Sequence, residues 1–152
     1  MKPIKIGALG LIAAVALSLS SGGALACVIK IGGLAPLSAP GAVGGGEGMR
    51  AAMLIAQDDI NAAGGILGCD LKVIIADTEG LPEKASAMME KLITQDGVVA
   101  VGGGYHSSVG VASKDVANNL KIPVVFAETW NDTITGDRSE ERRVGKECRS
   151  RW

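Results

Sequence analysis

Four short apolar runs, each rich in β-branched residues, alternate with stretches of helical periodicity, and this alternation limits the chain to a small set of folds. The runs are Val28 to Leu34, Leu71 to Ala76, Val98 to Val101 and Val124 to Ala127. Between the first two, a segment from about Gly46 to Ala63 places Met49, Met53, Ala56, Ile60 and Ala63 on one stripe, with Arg50, Gln57, Asp58 and Asn61 elsewhere. Gly64-Gly65 then ends it as a left-handed cap would. The second helical segment opens on Pro82 and Glu83 and carries Ala85, Met88, Met89, Leu92 and Ile93 on its apolar face; the third carries Val109, Ala112, Val116 and Leu120. Strand and helix in strict turn predict an α/β fold, an open parallel sheet with helices flanking it through right-handed crossovers.

Ligands in such sheets bind beyond the carboxyl ends of the strands, where the strand order reverses. With a flavodoxin-like order of 2-1-3-4, the loops after strands one and three face each other there. The first loop, Ala35 to Gly45, is long and rich in glycine and proline. The second, Gly102-Gly103-Gly104-Tyr105-His106-Ser107-Ser108, joins a strand to a helix start through three glycines and two hydroxyls. Such a turn brings backbone close to a ligand and offers donors to a carboxylate. Ser107 or Ser108 acting only as a helix cap is the plainer alternative. Outside the two ends the aromatic residues are Tyr105, Phe126 and Trp130, and two of them lie just past the ends of strands three and four, where a site would be lined.

Both ends differ in character from this middle. Residues 1–26 have Lys2 and Lys5, an apolar run from Ile6 to Leu19, and a small-residue close in Ala24-Leu25-Ala26, the order of a secretory signal peptide cleaved after Ala26. Cys27 follows at once, but a lipoprotein signal has leucine at minus three and a small residue at minus two, and the order here, Ala24 then Leu25, favours ordinary cleavage over lipidation, so a membrane attachment is expected only if Cys27 is lipidated. Residues 138–152 are dense in charge, interleave Glu140, Glu141 and Glu147 with arginines, and read as the conceptual translation of a sequencing-library adapter. The expected organisation is signal peptide 1–26, a truncated ligand-binding lobe 27–137, and an artefactual tail 138–152.

Of the 15 basic residues two fall in residues 1–26 and six in 138–152, leaving seven in the middle against 13 acidic ones. A balance of minus six disfavours nucleic acid and anionic membrane as partners. Cys27 and Cys69 each precede an apolar strand by the same step, so adjacent parallel strands would bring them near each other, and export permits a disulfide; two unpaired thiols are the other outcome. Neither cysteine has the company of a metal or redox motif, and the lone histidine, His106, offers no metal cluster. No cofactor is expected.

The stretches Ile29-Lys30-Ile31-Gly32, Ala35-Pro36-Leu37-Ser38, Asp59 to Gly68 and Gly104 to Ser108 give the core, over essentially all of Val28 to Asp137, a resemblance to the branched-chain amino-acid type of periplasmic solute-binding protein that feeds ABC transporters. The resemblance implies two α/β lobes closing on a small molecule, of which this chain holds an incomplete first lobe, and a membrane permease as partner. It implies that the loop after strand three supplies a serine hydroxyl and main-chain groups to the ligand carboxylate, which maps to Ser107 or Ser108 with His106 in a less certain register and Tyr105 beside them. The segment after strand four maps to Glu128, Thr129 and Trp130. Glu128 and Trp130 depart from the small residues and threonine often found there, so the ligand, an amino acid or an amide or urea-type solute, stays open. A ligand-sensing receptor ectodomain of the same fold is a further alternative.

A dinucleotide-binding enzyme is the rival of another class. Its fingerprint requires G-x-G-x-x-G directly after the first strand, and here Gly32-Gly33 is followed by Leu34-Ala35-Pro36. Only Asp77, at the end of strand two, imitates the ribose-binding acid. Catalysis by a serine triad would need His106 to serve its own neighbours without a nucleophile elbow. A binding protein, not an enzyme, is therefore expected.

Overall fold

The computed structural model describes residues 27–136. The expectations of a signal peptide in residues 1–26 and of an adapter-derived tail in 138–152 lie outside the described residues. In order, the elements are β1 (Val28–Ala35), α1 (Val43–Ala62), β2 (Asp70–Asp77), α2 (Pro82–Thr94), β3 (Ala100–Gly103), α3 (Ser107–Asn119), β4 (Val124–Phe126) and α4 (Thr133–Gly136). The four strands form one parallel sheet in the order β2-β1-β3-β4. β1 is central, running from Val28 opposite Asp70 to Ala35 opposite Asp77 on one side and from Ile31 opposite Ala100 to Leu34 opposite Gly103 on the other. Order and direction are those expected from the alternation, and they set the ends of β1 and β3 side by side.

The principal core lies between the sheet and the helices α2 and α3. Leu34, Val98, Val101, Met89, Leu92 and Ala117 are all buried in one cluster. The apolar face predicted for α2 is the observed one, with Ala85, Met89 and Leu92 fully buried. α3 is rotated from its predicted face: Val109, Gly110, Ser113 and Ala117 point inward, while Leu120 is exposed. Hydropathy places serine outside, but the Ser113 hydroxyl donates to the Val109 carbonyl one turn back at 2.6 Å and so enters the core satisfied.

α1 departs from its predicted stripe for a related reason. Met49, Met53 and Ile60 are partly buried, whereas Ala56 and Ala63 are exposed. Gln57 and Asn61, read as outward polar residues, face the edge strand β2 instead. The Gln57 side-chain oxygen accepts from the Val73 N–H at 2.8 Å, and Asn61 both accepts from the Leu71 N–H at 2.7 Å and donates to the Leu71 carbonyl at 2.9 Å. An edge strand leaves backbone groups without a neighbouring strand, and two amides four residues apart on a helix are spaced to meet them.

The predicted end of α1 is observed, Gly64 and Gly65 having φ of 101° and 75°. β3 starts two residues later than expected. The Val99 N–H bonds the Lys30 carbonyl and Val98 is held by Leu92, so both precede the regular ladder. At the amino ends of β1 and β2, Cys27 and Cys69 are joined in a disulfide with Cα atoms 4.8 Å apart. Among the described residues no helix is long and apolar enough to cross a membrane.

Candidate functional site

At the carboxyl end of the sheet, the turn after β3 sets the site. Gly103 and Gly104 have φ of 101° and 82°, a left-handed pair that swings the chain out of the sheet and into α3. The turn is pinned on both sides, since the Gly104 N–H donates to the Leu34 carbonyl at 2.8 Å and the Gly103 and Gly104 carbonyls accept from the N–H groups of Ala127 and Glu128 at 3.0 and 3.2 Å. Neither serine caps α3. The N-cap position is His106, whose side chain makes no capping bond.

Ser107 does something else: its Oγ accepts from the Trp130 N–H at 2.9 Å. A hydroxyl fixed in place as an acceptor keeps its own proton to donate. The first helical bond runs from the Gly110 N–H to the His106 carbonyl, leaving the N–H groups of Ser107, Ser108 and Val109 without an intrahelical acceptor. One oriented hydroxyl and a helix amino end converge on one spot, which suits a carboxylate.

The other predicted site residues divide. Tyr105 and Glu128 line the same cleft, of about 490 Å³. Its opposite wall is the first three turns of α1, with Gly45, Gly48, Met49 and Met53. The Tyr105 ring lies directly over Gly45, where any Cβ would overlap it. Thr129 turns its methyl group toward Gly104 and Gly110, so it packs α3 against the β4 exit. Trp130 is 87% exposed and Ser108 is also exposed, and neither is among the residues that line the cleft. His106 is turned away toward Gly80 in the loop after β2, edge-on to the Tyr105 ring at 5.3 Å, with Nδ1 buried and unpartnered. The α1 wall was absent from the site inferred from sequence. Its signal was present in Gly44-Gly45-Gly46 and Gly48, glycines that leave the start of a helix bare enough for another surface to approach.

Asp77 has a different task from the one a nucleotide enzyme would give it. Its Oδ1 accepts from the N–H groups of Leu37 and Glu79 at 2.8 and 2.9 Å, and its Oδ2 from the Ser38 hydroxyl. Partial burial works against the charged form, yet the Ser38 hydroxyl, the two N–H groups and the Lys84 charge outweigh it and hold the carboxyl below the ordinary carboxylate value. The loops after β1 and β2 are thereby locked together, and both Asp77 oxygens are engaged within the protein. Gly32 and Gly33 lie inside β1, covered by Leu92 on one face and Met53 on the other, so no phosphate turn exists there.

A carboxyl depressed in the folded state stabilises it fully above the unfolded value of 3.8, and that contribution is lost as pH falls through the lower folded value. Asp77→Asn is expected to cost about 1.5 kcal/mol at neutral pH. Its urea midpoint should converge with that of the natural protein as the pH is lowered through and below 3.8. A gap that stays constant across that range would remove the charge from the account.

Residues 28–143 match the family model described as periplasmic binding protein. A Leu/Ile/Val-binding protein homologue from Brucella suis biovar 1 is 33% identical over 123 residues, covering 80% of this chain and 30% of the relative. An amino acid binding protein from Pseudomonas aeruginosa is 35% identical over 80 residues, 53% of this chain and 21% of its own length. Among solved structures, the branched-chain amino acid transporter substrate binding protein LivJ from Streptococcus pneumoniae, in complex with isoleucine, superposes with a TM-score of 0.67 at 30% identity, over 71% of this chain and 31% of that one. The chain thus spans less than a third of the length of each of these three proteins. It belongs to the periplasmic binding protein family and carries part of one α/β lobe.

Proposed function

We propose that the chain is the first-lobe portion of a protein that captures an amino acid outside the cytoplasm and delivers it to an ABC-transporter permease. The observation that carries this is Ser107, held by the Trp130 N–H at the amino end of α3 with its proton free. That arrangement offers hydrogen-bond donors to an anionic group, which suits reversible binding. The cleft beside it is within the size range of small-molecule sites. Closure of a second lobe over Trp130 and Tyr105, as the resemblance implies, buries the ligand. An amide or urea-type solute is the second reading, supported by Glu128, whose carboxylate accepts N–H groups.

Lipid anchoring is disfavoured by the Cys27 to Cys69 bond, because one sulfur cannot also carry a thioether lipid. The mass of the exported protein distinguishes the two, a free, disulfide-bonded form being expected. In the complete protein, Ser107→Ala is expected to weaken amino-acid binding by about 1.5 to 3 kcal/mol, the worth of a hydrogen bond to a charged group. Calorimetry with a panel of amino acids measures it. Unchanged affinity removes Ser107 from the site, and a protein that binds no amino acid has another role.

A further inference from the structure

The geometry points to Glu128 as the group that selects the ligand's side chain, favouring an amino acid whose side chain ends in a positively charged nitrogen. This rests on capture of the α-carboxylate at the start of α3. The cleft that opens beside that point is lined by glycine, alanine and methionine with one aromatic ring, Tyr105, and Glu128 is the charged residue in its wall. Among the described residues the ion pairs of Arg50 with Glu47, Lys84 with Glu79, and Lys91 with Asp96 do not involve Glu128. Among the described residues, therefore, the carboxylate enters the cleft without a cation of its own.

Two physical consequences follow. A neutral branched side chain seated in the cleft would strip water from Glu128 and give nothing in return, an unfavourable exchange for any carboxylate. A side chain with a methylene stem and a terminal cation reverses the sign, because the stem lies against Met49 and Met53 while the nitrogen meets Glu128 and the face of Tyr105. The position of Glu128 is set by the backbone, whose N–H is tied to the Gly104 carbonyl in the same turn that positions the α3 amino end. The two ends of such a ligand are thus read from one rigid unit.

L-lysine and L-norleucine differ in the terminal ammonium alone, which makes them the pair to compare by calorimetry on the complete protein and on its Glu128→Gln variant. Glu128 is exposed and its side chain makes no packing contact that glutamine cannot keep, so the variant is expected to fold, as a circular dichroism melt will show. The expected result is lysine bound at least tenfold more tightly than norleucine by the natural protein, with the ratio falling to near one in Glu128→Gln. Norleucine or leucine bound as tightly as lysine, or a ratio that Glu128→Gln leaves unaltered, overturns the assignment of Glu128 while amino-acid capture stands. Failure of lysine, leucine and norleucine alike to bind overturns both.

Discussion

Leu34→Ala is expected to lower the unfolding free energy by about 2 to 5 kcal/mol, the range for deleting a fully buried leucine side chain. Leu34 is 1% exposed at the carboxyl end of the central strand, with β2 on one side, β3 on the other, and Met89 and Leu92 above it. Little around it can collapse into the space, because the sheet is fixed by its ladder and α2 is tied to the loop before it. The same residue accepts the Gly104 N–H through its carbonyl, so disturbance of its packing reaches the turn that opens α3. Urea unfolding should show the loss, and calorimetry should show weakened ligand binding beside it. A loss below about 1 kcal/mol, the scale of an ordinary surface change, would mean that Leu34 does not sit in a close-packed interior.

Cys69→Ser is expected to remove about 3 to 4 kcal/mol while leaving ligand affinity unaltered. The bridge closes a loop with a sequence separation of 42 residues, and confinement of the unfolded chain by a loop of that length accounts for the figure in the chain-entropy description. Affinity is spared because the bridge lies at the amino ends of β1 and β2, whereas the cleft lies at the carboxyl ends. Unfolding with and without reductant should show the same difference in the natural protein and none in the variant. Equal stability of the two proteins, or a ligand affinity that falls with the bridge, would contradict this division of labour between the two ends of the sheet.

Much of the architecture was legible in the chain because parallel α/β structure writes itself as period. Four apolar runs and three helical stretches, with Gly64-Gly65 and Pro82 as punctuation, specify alternating elements, and the chirality of crossovers leaves few ways to assemble them. Of the candidate site, the turn from Gly102 to Ser108 and the β4 exit were legible as adjoining loops at the carboxyl end of the sheet, since each follows a strand in the predicted order 2-1-3-4. Less visible was the division among neighbours. Ser107 acts on the Trp130 N–H, His106 turns toward Gly80, and Thr129 packs on Gly104 and Gly110, though all lie in two short loops.

The misplaced residues share one cause. Gln57, Asn61 and Ser113 are polar, and hydropathy assigns polar residues to solvent; yet each is turned inward because a specific backbone group is there to bond with it. Such partners come from another strand or from the helix's own preceding turn, and for the two amides they exist only once β2 lies alongside α1. Asp77 follows the same rule, its role decided by the loop after β1 coming within reach.

By itself the sequence determined the order of strands and helices, the parallel sense of the sheet, and the end of it at which the candidate cleft lies, because these follow from local periodicity and from chirality. Tertiary structure alone decided which face of α3 is buried, that α1 forms the far wall of the cleft, that Cys27 meets Cys69, and that the Ser107 hydroxyl accepts from the Trp130 N–H. Those outcomes depend on distances between groups remote in the chain, and hydropathy along a sequence carries no record of them.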